Sequence, residues 1–418
     1  MKMWLKCISL AVLAVLLTIG MTACAGGGTP AAPAQPAAYD EAYEPEEAYE
    51  PADDVDTAEH ANDTAAVGMV ASDVQIALVA HSPDSILDDG SFNQGAWDGI
   101  ERFLTSHGLP SSNANFFQPH SPDDAARIDM IYDAINSGAN ILILPGFHFE
   151  SSLYEAQDFF PDTTFVLLDA SPTRVEVVDV DGEEERVFHV RIEDNVVAIH
   201  YAEEEAGFLA GYAAVMEGHR SLGFMGGIAV PAVVRFGHGF IQGAEHAAAS
   251  LDLEAGEVTI NYLYLGGFAP DAAHATTAQA WFAAGTEVIF AAAGGAGFSV
   301  MSGAETAGGL TIGVDVDQSA QNPTVITSAM KALDESVYVM LTDFMNGTFR
   351  GGREILFNAS IDGVGLPMAT SRFQNFTQAQ YDAIFEQLAS GAVSVSNVVT
   401  PTVSEANLDI SLVTVNEM

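Results

Sequence analysis

Cysteine is almost absent from this chain. Among its 418 residues only Cys7 and Cys24 occur, and both lie in an amino-terminal segment that has the pattern of a targeting signal. The mature protein therefore has no pair of thiols for an internal disulfide. No cysteine remains for a zinc site or a nucleophile either.

Basic residues are also scarce. Lysine and arginine together number 13 against 57 aspartates and glutamates, so the formal net charge is −44 at pH 7. A nucleic-acid-binding surface needs clustered basic residues to neutralise phosphates. This sequence lacks such a stripe, so we expect no nucleic-acid partner. Lys331 is the only lysine beyond Lys2 and Lys6.

Residues 1–23 are predicted to be a lipoprotein signal peptide. Lys2 and Lys6 give it a positive start, and the apolar run at 8–20 is shorter than the roughly 20 residues that a membrane-spanning helix needs. The sequence MTAC at 21–24 resembles a bacterial lipobox, with methionine where leucine is usual. The resemblance implies cleavage before Cys24, a lipid on its thiol and attachment to the extracytoplasmic face of the cell membrane. An uncleaved membrane anchor is the alternative.

Residues 24–72 have the composition of a disordered tether. They consist mainly of glycine, alanine, proline, aspartate and glutamate, and the sequence EAYEP at 41–45 recurs at 47–51. Such a segment cannot bury enough apolar surface to offset the entropy cost of ordering. We expect an acidic, self-repelling linker that holds a folded body away from the membrane. A binding role for the repeat is the alternative.

Strand and helix patterns alternate from residue 73 onward, which is typical of an α/β protein. The apolar and β-branched runs predict strands at 75–81, 113–118, 140–145, 164–169, 187–192, 221–226, 257–264, 287–292, 311–314 and 324–328. The strand at 187–192 follows an acidic, hairpin-like insertion at 176–185. A long apolar helix is expected at 198–217.

Repeated βα units predict parallel sheets with helices on both faces. The two sets of units are long enough for two Rossmann-like lobes with a ligand cleft between them. We place the first lobe at 73–197 and the second at 198–315. Residues 316–418 are expected to return across the lobes and to supply the closing elements.

The loop after the first predicted strand, DDGSFNQGAW at 88–97, is the main local signal for a binding site. It joins a strand to a helix, with Ser91 as the expected helix cap, and ligands bind at this edge of open parallel sheets. The ring of Phe92 is suited to stacking on a flat ligand, and the amide of Asn93 to pairing with a heterocycle. The alternative is that Phe92 covers the core and Asn93 bonds the backbone.

Several motifs make the chain resemble the basic membrane protein family of bacterial solute-binding lipoproteins, which includes purine-nucleoside receptors for ABC importers. The motifs occur in the family's order and approximate spacing: IALV at 76–79, DDGSFNQ at 88–94, LGFMGG at 222–227, RFGHGF at 235–240, AAGGAG at 292–297, IGVDVDQ at 312–318 and TSAMK at 327–331. The resemblance implies a type I periplasmic-binding-protein fold, two lobes joined by hinge strands that close on a nucleoside.

The resemblance also implies the residues that would bind the ligand. Phe92 would stack on the base, while Asn93 and Asp169 would pair with its edge. Asp315 would accept bonds from the ribose hydroxyls, and Lys331 would donate to the sugar. The remaining positions are Gly294 and Gly295, which would let the backbone approach the ligand.

The ring that covers the second face of the base is expected to be Phe298, which follows the glycine turn. Phe236 is the alternative, and either ring is otherwise an ordinary core residue. At Lys331 the composition supports the resemblance, because an ammonium donates three hydrogen bonds and suits clustered hydroxyls. Chance retention on a surface helix is the alternative there.

The expected function is capture of nucleosides, with purine nucleosides as the expected ligands, for delivery to the permease and ATPase subunits of an ABC importer. A sensor of the same fold that reports to a membrane partner is one alternative, and a sugar-binding protein is another. No cofactor is implied. The candidates for catalysis, Asp88, Asp89, His81 and His148, lack nucleophile-elbow, zinc or carboxylate-pair spacing, so we expect no enzyme.

Overall fold

The computed structural model describes residues 70–180 and 183–418. The predicted signal peptide, Cys24 and residues 24–69 of the predicted tether lie outside the described residues. Within the two described ranges, no helix combines the length and the apolar character that a membrane crossing needs.

Fifteen strands and nine α-helices are present in the described part of the chain. The strands are β1 (Ile76–Val79), β2 (Ala114–Phe117), β3 (Ile141–Pro145), β4 (Thr164–Leu168), β5 (Thr173–Val180), β6 (Glu183–Val190), β7 (Val196–Tyr201), β8 (Ser221–Gly226), β9 (Val258–Tyr264), β10 (Val288–Ala292), β11 (Leu310–Asp315), β12 (Val325–Lys331), β13 (Arg353–Phe357), β14 (Val364–Gly365) and β15 (Val413–Glu417). The helices are α1 (Phe92–Ser106), α2 (Asp124–Asn136), α3 (Glu150–Phe159), α4 (Glu203–Glu217), α5 (Pro231–Ser250), α6 (Ala272–Ala283), α7 (Ala296–Ala307), α8 (Leu333–Asn346) and α9 (Gln378–Ala389).

Two sheets form the cores of two lobes. The first has the order β13-β7-β4-β3-β1-β2, and the second β14-β12-β11-β10-β8-β9-β15. All neighbours are parallel except the short β12–β14 pair. The inner strands are continuous apolar runs because helices cover both faces of each sheet. The expected α/β architecture of two lobes is confirmed.

The chain crosses between the lobes three times within the described residues. It leaves the first sheet after β7, returns from β12 through α8 to β13, and crosses again to β14. Helix α8 packs on α1 of the first lobe, where a Cβ at Gly99 would lie only 2.5 Å from the backbone oxygen of Asp334. The first crossing lies after Tyr201, whereas the sequence-based boundary at 197 falls inside β7.

The strand predicted at 187–192 lies mostly in β6, which begins earlier, ends at Val190 and pairs with β5 in a two-stranded ribbon separate from both sheets. The sheet strand is β7, whose last residues were assigned to the helix at 198–217. That helix begins at Glu203. Residues 196–201 are as apolar as most of the helix, and the change of composition that marks the boundary is the run of glutamates at 203–205, where the helix begins.

Helices α4 and α5 pack with their backbones in direct contact. A Cβ at Gly207 or Gly211 of α4 would lie 2.2 or 2.0 Å from a carbonyl oxygen of α5, and the reverse holds at Gly239 and Gly243, at 2.0 and 1.9 Å from α4 oxygens. Only glycine permits such an approach. This contact holds the first turns of α4 and α5 beside each other, which matters for the site described below.

Replacing Gly211 with alanine is therefore expected to destabilise the protein. Its Cβ would overlap the oxygen of Phe240, so the helices must separate, and overpacking of this kind costs about 1–3 kcal/mol. Gly267→Ala is the matched control, since no atom lies within 4 Å of a Cβ built there. Urea titration followed by circular dichroism measures both variants. Equal stabilities of the two would contradict the packing described here.

Candidate functional site

Two carboxylates mark the edges of the cleft. Asp169 directly follows β4 of the first lobe, and Asp315 ends β11 of the second. Both have left-handed backbone conformations, with φ of 62° and 68°. Such conformations are uncommon outside glycine and concentrate at binding sites, where the surrounding structure stabilises them. The chain therefore turns sharply at each position and directs a carboxylate toward the cleft.

Lys331 links the lobes at this point. It ends β12 of the second lobe, and its side chain is only 2% exposed. Its Nζ lies 2.5 Å from Oδ2 of Asp169, 3.1 Å from Oε1 of Glu203 and 3.7 Å from Oδ1 of Asp315. The chain's only lysine outside the signal region thus lies among three carboxylates, and surface retention by chance is excluded as its explanation.

Aromatic rings surround the same ammonium. Nζ of Lys331 lies 5.0 Å from the ring centre of Phe92, 5.2 Å from that of Phe236 and 5.5 Å from that of Tyr201. Cations are attracted to ring faces at these distances. Two of the aromatic residues nominated from the sequence, one from each lobe, therefore meet at the charge cluster.

Phe298 lies elsewhere on the cleft. A Cβ at Gly90 would be only 2.9 Å from Cζ of Phe298, so the ring covers the loop before α1. Gly294 and Gly295 follow β10, and a Cβ at Gly294 would lie 3.6 Å from the ring of Phe268. Phe268 also packs on Gly227 after β8. It is an additional ring at this edge of the second sheet, which the sequence reasoning did not nominate.

The cap of α1 differs from the expectation. The carboxylate of Asp89 accepts hydrogen bonds from the backbone N–H groups of Ser91, Asn93 and Gln94, at 2.9, 3.1 and 3.0 Å. The hydroxyl of Ser91, expected to cap this helix, instead donates to Oδ2 of Asp315 at 2.6 Å. Ser91 is at the N-cap position as predicted, but its side chain makes no cap hydrogen bond, because an acceptor in the other lobe takes its hydroxyl.

A second hydrogen bond crosses the cleft next to the first. Nε2 of Gln318, in the second lobe, donates to the backbone oxygen of Gly90 at 2.9 Å. The amide of the buried Asn93 donates to the oxygen of Ile86 at 3.3 Å, the backbone contact that the alternative interpretation expected. Its pairing with a ligand stays a prediction.

Glu203 and Arg235 complete the cluster, although sequence reasoning missed both. Oε2 of the fully buried Glu203 lies 2.6 Å from Nε of Arg235, which is also 3.7 Å from Oε2 of Glu204. These residues lie in the first turns of α4 and α5, which the glycine contact brings together. The available signal was three consecutive glutamates at the start of an otherwise apolar helix.

Burial and charge act in opposite directions on these groups. Burial raises the pKa of Glu203, but Arg235 and Lys331 outweigh it and lower that pKa to about 2. Burial would lower the pKa of Lys331, and the surrounding carboxylates raise it instead. At Asp169 burial raises the pKa by more than the adjacent Lys331 lowers it. The surroundings therefore favour the charged forms of Glu203 and Lys331, whereas at Asp169 burial shifts the pKa toward the neutral form.

Glu204 is the least compensated member of the cluster. Its Oε2 is buried without a hydrogen-bond partner, and burial raises its pKa to about 8 despite the nearby Arg235. Arg235 lies closer to Glu203, at 2.6 Å, than to Glu204, at 3.7 Å, so most of its compensating charge goes to Glu203. Burial thus favours the protonated form of Glu204 at neutral pH.

The stability of the protein should reflect this protonation. A raised folded-state pKa means that the native state binds a proton that the unfolded state releases above pH ~4.5, so Glu204 lowers stability as pH rises toward 8. Glu204→Gln removes this loss. It should match the wild type at pH 5 and exceed it by roughly 2–4 kcal/mol at pH 8.5 in urea titrations. Parallel stability curves for the two proteins would show that Glu204 is ionised throughout.

The catalytic candidates His81, His148 and Asp89, and a serine–histidine–glutamate group that the described part of the chain also contains, are engaged as follows. The rings of His81 and His148 stack 4.3 Å apart, and Asp89 is occupied as the helix cap. The hydroxyl of Ser171 lies 2.9 Å from Nε2 of His200 and also donates to Glu354, so the acid contacts the serine instead of orienting the far side of the imidazole. Among residues 70–180 and 183–418, no His, Cys, Asp and Glu cluster has metal-binding geometry.

Solved structures of solute-binding proteins share the fold. The similarity has a TM-score of 0.63 to an ABC-transporter solute-binding protein from Aeropyrum pernix, at 20% identity, covering 80% of this chain and 95% of that one. For a solute-binding protein from Conexibacter woesei the TM-score is 0.59 at 22% identity, with 78% and 99% covered. These matches confirm the type I periplasmic-binding-protein architecture.

Sequence relatives agree with that architecture. The ABC transporter nucleoside-binding protein BmpA of Lactococcus lactis is 26% identical over 330 residues, covering 74% of this chain and 86% of the relative. Basic membrane protein D of Borreliella burgdorferi is 25% identical over 300 residues, covering 71% and 80%. A family model described as Bmp, ABC transporter substrate-binding protein PnrA-like, matches residues 75–397. The resemblance drawn from the motifs is thereby confirmed, and the chain belongs to the Bmp family of ABC-transporter substrate-binding proteins.

Proposed function

We propose that this substrate-binding protein captures nucleosides, purine nucleosides above all, between its lobes and delivers them to the permease and ATPase of an ABC importer. One observation carries the proposal: Lys331 of the second lobe meets Asp169 of the first inside a buried cluster bordered by aromatic rings from both lobes. The Lactococcus relative described as nucleoside-binding supports the ligand class.

The rings suit the base of such a ligand. Phe92 would supply one stacking face. The other would come from Phe236, which shares the ammonium of Lys331 with Phe92, or from Phe298, which covers Gly90 just before α1. Stacking of a base on an aromatic ring contributes about 1–3 kcal/mol. Asp169 and Asn93 would then pair with the base edge. To do so, Asp169 would give up its contact with Lys331 and accept hydrogen bonds from the N–H groups of the base.

The polar residues of the second lobe suit the sugar. Asp315 already accepts from the hydroxyl of Ser91, so a ribose hydroxyl would enter as a donor of the same kind. Lys331 would donate to the sugar oxygens as Asp169 turns to the base. Glu203 keeps the ammonium in place during this exchange, since it is fully buried behind Lys331 and is itself fixed by Arg235.

Ligand binding would favour the closed arrangement of the lobes. The hydrogen bonds from Ser91 to Asp315 and from Gln318 to Gly90 exist only when the lobes meet, and a ligand that contacts both lobes stabilises the same state. The three chain crossings between the lobes provide the hinge. A permease that recognises the closed state would therefore receive loaded protein selectively.

The site of action is proposed to be the extracytoplasmic face of the cell membrane. The lipid on Cys24 would anchor the protein, and the acidic segment at 24–72 would let the lobes reach the permease. Both features rest on the sequence pattern, because they lie almost wholly outside the described residues.

Loss of the first stacking face should weaken binding. Phe92→Ala is expected to reduce nucleoside affinity tenfold or more, given about 1–3 kcal/mol per stacked base, as measured by isothermal titration calorimetry. Phe159→Ala is the matched control, because this ring at the end of α3 is 65% exposed and remote from the charge cluster. Unchanged affinity in Phe92→Ala would remove Phe92 from the site.

Removing the ammonium of Lys331 should show whether it binds the sugar or the base of a nucleoside. Lys331→Met is expected to weaken the binding of nucleosides and to leave the binding of free purine bases unchanged, because the N–H donors of Lys331 are assigned to the ribose. The substitution leaves buried carboxylates without their cation, so thermal melts of the variant and of Lys331→Arg are measured alongside. An equal loss for nucleosides and bases, in a variant that remains folded, would contradict the sugar-side role of Lys331.

A further inference from the structure

The buried cluster around Lys331 contains more carboxyl groups than cations. Ion pairs among the described residues join four carboxyl groups to two cations: Asp169, Glu203, Glu204 and Asp315 to Lys331 and Arg235. If all six groups were ionised, the negative charges would outnumber the positive ones in a buried site. A buried carboxyl group without a matching cation tends to take up a proton. The composition of the cluster therefore favours bound protons.

Two of the four carboxyl groups are already engaged by donors. Glu203 has a cation beside each oxygen, with Arg235 2.6 Å from Oε2 and Lys331 3.1 Å from Oε1. Asp315 accepts a hydrogen bond from the hydroxyl of Ser91 at 2.6 Å. Donors of this kind stabilise the ionised form of a carboxyl group. These two positions are therefore poorly suited to hold a proton.

The other two carboxyl groups each have an oxygen without such a donor. Oδ1 of Asp169 and Oε2 of Glu204 are buried and have no hydrogen-bond partner among the described residues. Glu204 lies on α4, beside Arg235 of α5, whereas Asp169 directly follows β4 and is the carboxyl group that the first lobe contributes. Asp169 is thus the candidate proton holder that borders the cleft.

The charged and titratable groups that face Asp169 come from five elements: Lys331 of β12, Arg235 of α5, Glu203 of α4, Asp315 of β11 and Tyr201 of β7. The cations favour the ionised form of Asp169, the carboxylates favour its neutral form, and burial keeps the phenol of Tyr201 neutral by raising its pKa. Burial also raises the pKa of Asp169 to about 7, although the adjacent Lys331 lowers it. Both forms of Asp169 are therefore accessible near neutral pH.

Purine bases present opposite groups to the two forms of a carboxyl group. Hypoxanthine and guanine carry an N–H donor at N1, whereas N1 of adenine is an acceptor next to an amino donor. An ionised carboxylate only accepts hydrogen bonds, while a protonated one donates through its O–H and accepts at its other oxygen. The ionised form therefore matches 6-oxopurines and the protonated form matches adenine. A mismatch would place two acceptors against each other in a buried site, which is costly.

We propose that Asp169 selects the purine by its proton, the ionised form binding inosine and guanosine and the protonated form binding adenosine, which rests on the proposed nucleoside function and deepens it. When inosine enters, Asp169 exchanges Lys331 for the N1–H group of the base and holds no proton. When adenosine enters, one proton from solvent occupies Asp169, and the resulting O–H donates to N1. The two complexes differ by one bound proton.

The ratio of adenosine affinity to inosine affinity is the direct readout. It should fall about tenfold for each unit of pH between 6 and 8, because each unit changes the ratio of protonated to ionised Asp169 by that factor. Glu204, whose pKa burial raises to about 8, titrates in the same range but acts on both nucleosides alike, so its effect cancels in the ratio. Isothermal titration calorimetry of the purified protein measures both affinities.

A proton count tests the same claim without any substitution. Binding enthalpies measured at pH 7.5 in phosphate and in Tris, whose heats of ionisation differ, give the number of protons taken up with each ligand. Adenosine should take up about one proton more than inosine, because only its complex holds the proton on Asp169. Equal proton counts, or an affinity ratio that does not change with pH, would overturn the proposal.

Two variants locate the proton. In Asp169→Asn the amide does not titrate, so the affinity ratio should become independent of pH. Glu150→Gln is the matched control: burial raises the pKa of Glu150 to about 7 as well, but this residue begins α3 outside the cluster, and its replacement should retain the tenfold change per pH unit. A pH-dependent ratio in Asp169→Asn, or its loss in Glu150→Gln, would contradict the assignment. If Asp169→Asn does not fold, the proton count of the wild type decides.

The two proposals fail in different ways. Nucleosides that bind with equal proton counts and a ratio independent of pH would refute the role of the proton and leave the nucleoside function intact. Absence of binding by adenosine, inosine and guanosine alike would refute the nucleoside function, and the role of the proton with it.

Discussion

The contact between Lys331 and Asp169 joins the two lobes through a charge that cannot be solvated. Lys331 ends β12 and is buried, and a buried ammonium is tolerated only when carboxylates surround it. Those carboxylates come from three different segments of the chain. Correct formation of both sheets, of the first crossing and of α4 is therefore a condition for a stable site, and fold and site specify each other.

The helix contact between α4 and α5 extends this dependence beyond the cleft. The glycines at 207, 211, 239 and 243 let two backbones touch, and that contact sets Glu203 beside Arg235. Arg235 then fixes the charge of Glu203, which holds Lys331. A larger side chain at one of these glycines would therefore shift the ammonium of Lys331, although the glycine itself is not proposed to contact a ligand. Burial raises the pKa of Asp169, and in the proposed function this carboxyl is the member of the cluster that exchanges Lys331 for a ligand.

The sequence predicted the repeating βα units and most strand positions, because each buried parallel strand is a continuous apolar run bounded by turns. The family resemblance also pointed to Asp169, Asp315 and Lys331, and the structure brings them together. Their roles toward a ligand remain predictions. What the sequence could not supply were contacts between residues far apart in the chain. Ser91 follows the local rule for a helix cap, yet its partner is Asp315, 224 positions away.

Glu203 illustrates the same limit in a different way. Three glutamates at a helix start usually indicate a solvated first turn, since carboxylates there interact favourably with the helix dipole. Here the first of them is fully buried, and only the close crossing of α4 and α5 makes that possible. The strand predicted at 187–192 belongs to the two-stranded ribbon, because strand propensity alone does not say which strand a run will pair with.

The measurement that tests the central claim most directly is thermal unfolding of residues 70–418 with a panel of ligands. The panel contains adenosine, guanosine, inosine, uridine, cytidine, free hypoxanthine, ribose and galactose, each at about a hundred times its dissociation constant or at its solubility limit. Nucleosides that bind the cleft should add about 2.7 kcal/mol to the free energy of unfolding, with purine nucleosides effective at the lowest concentrations. Stabilisation by ribose or galactose alone, or by no nucleoside after removal of copurified ligand, would contradict the account.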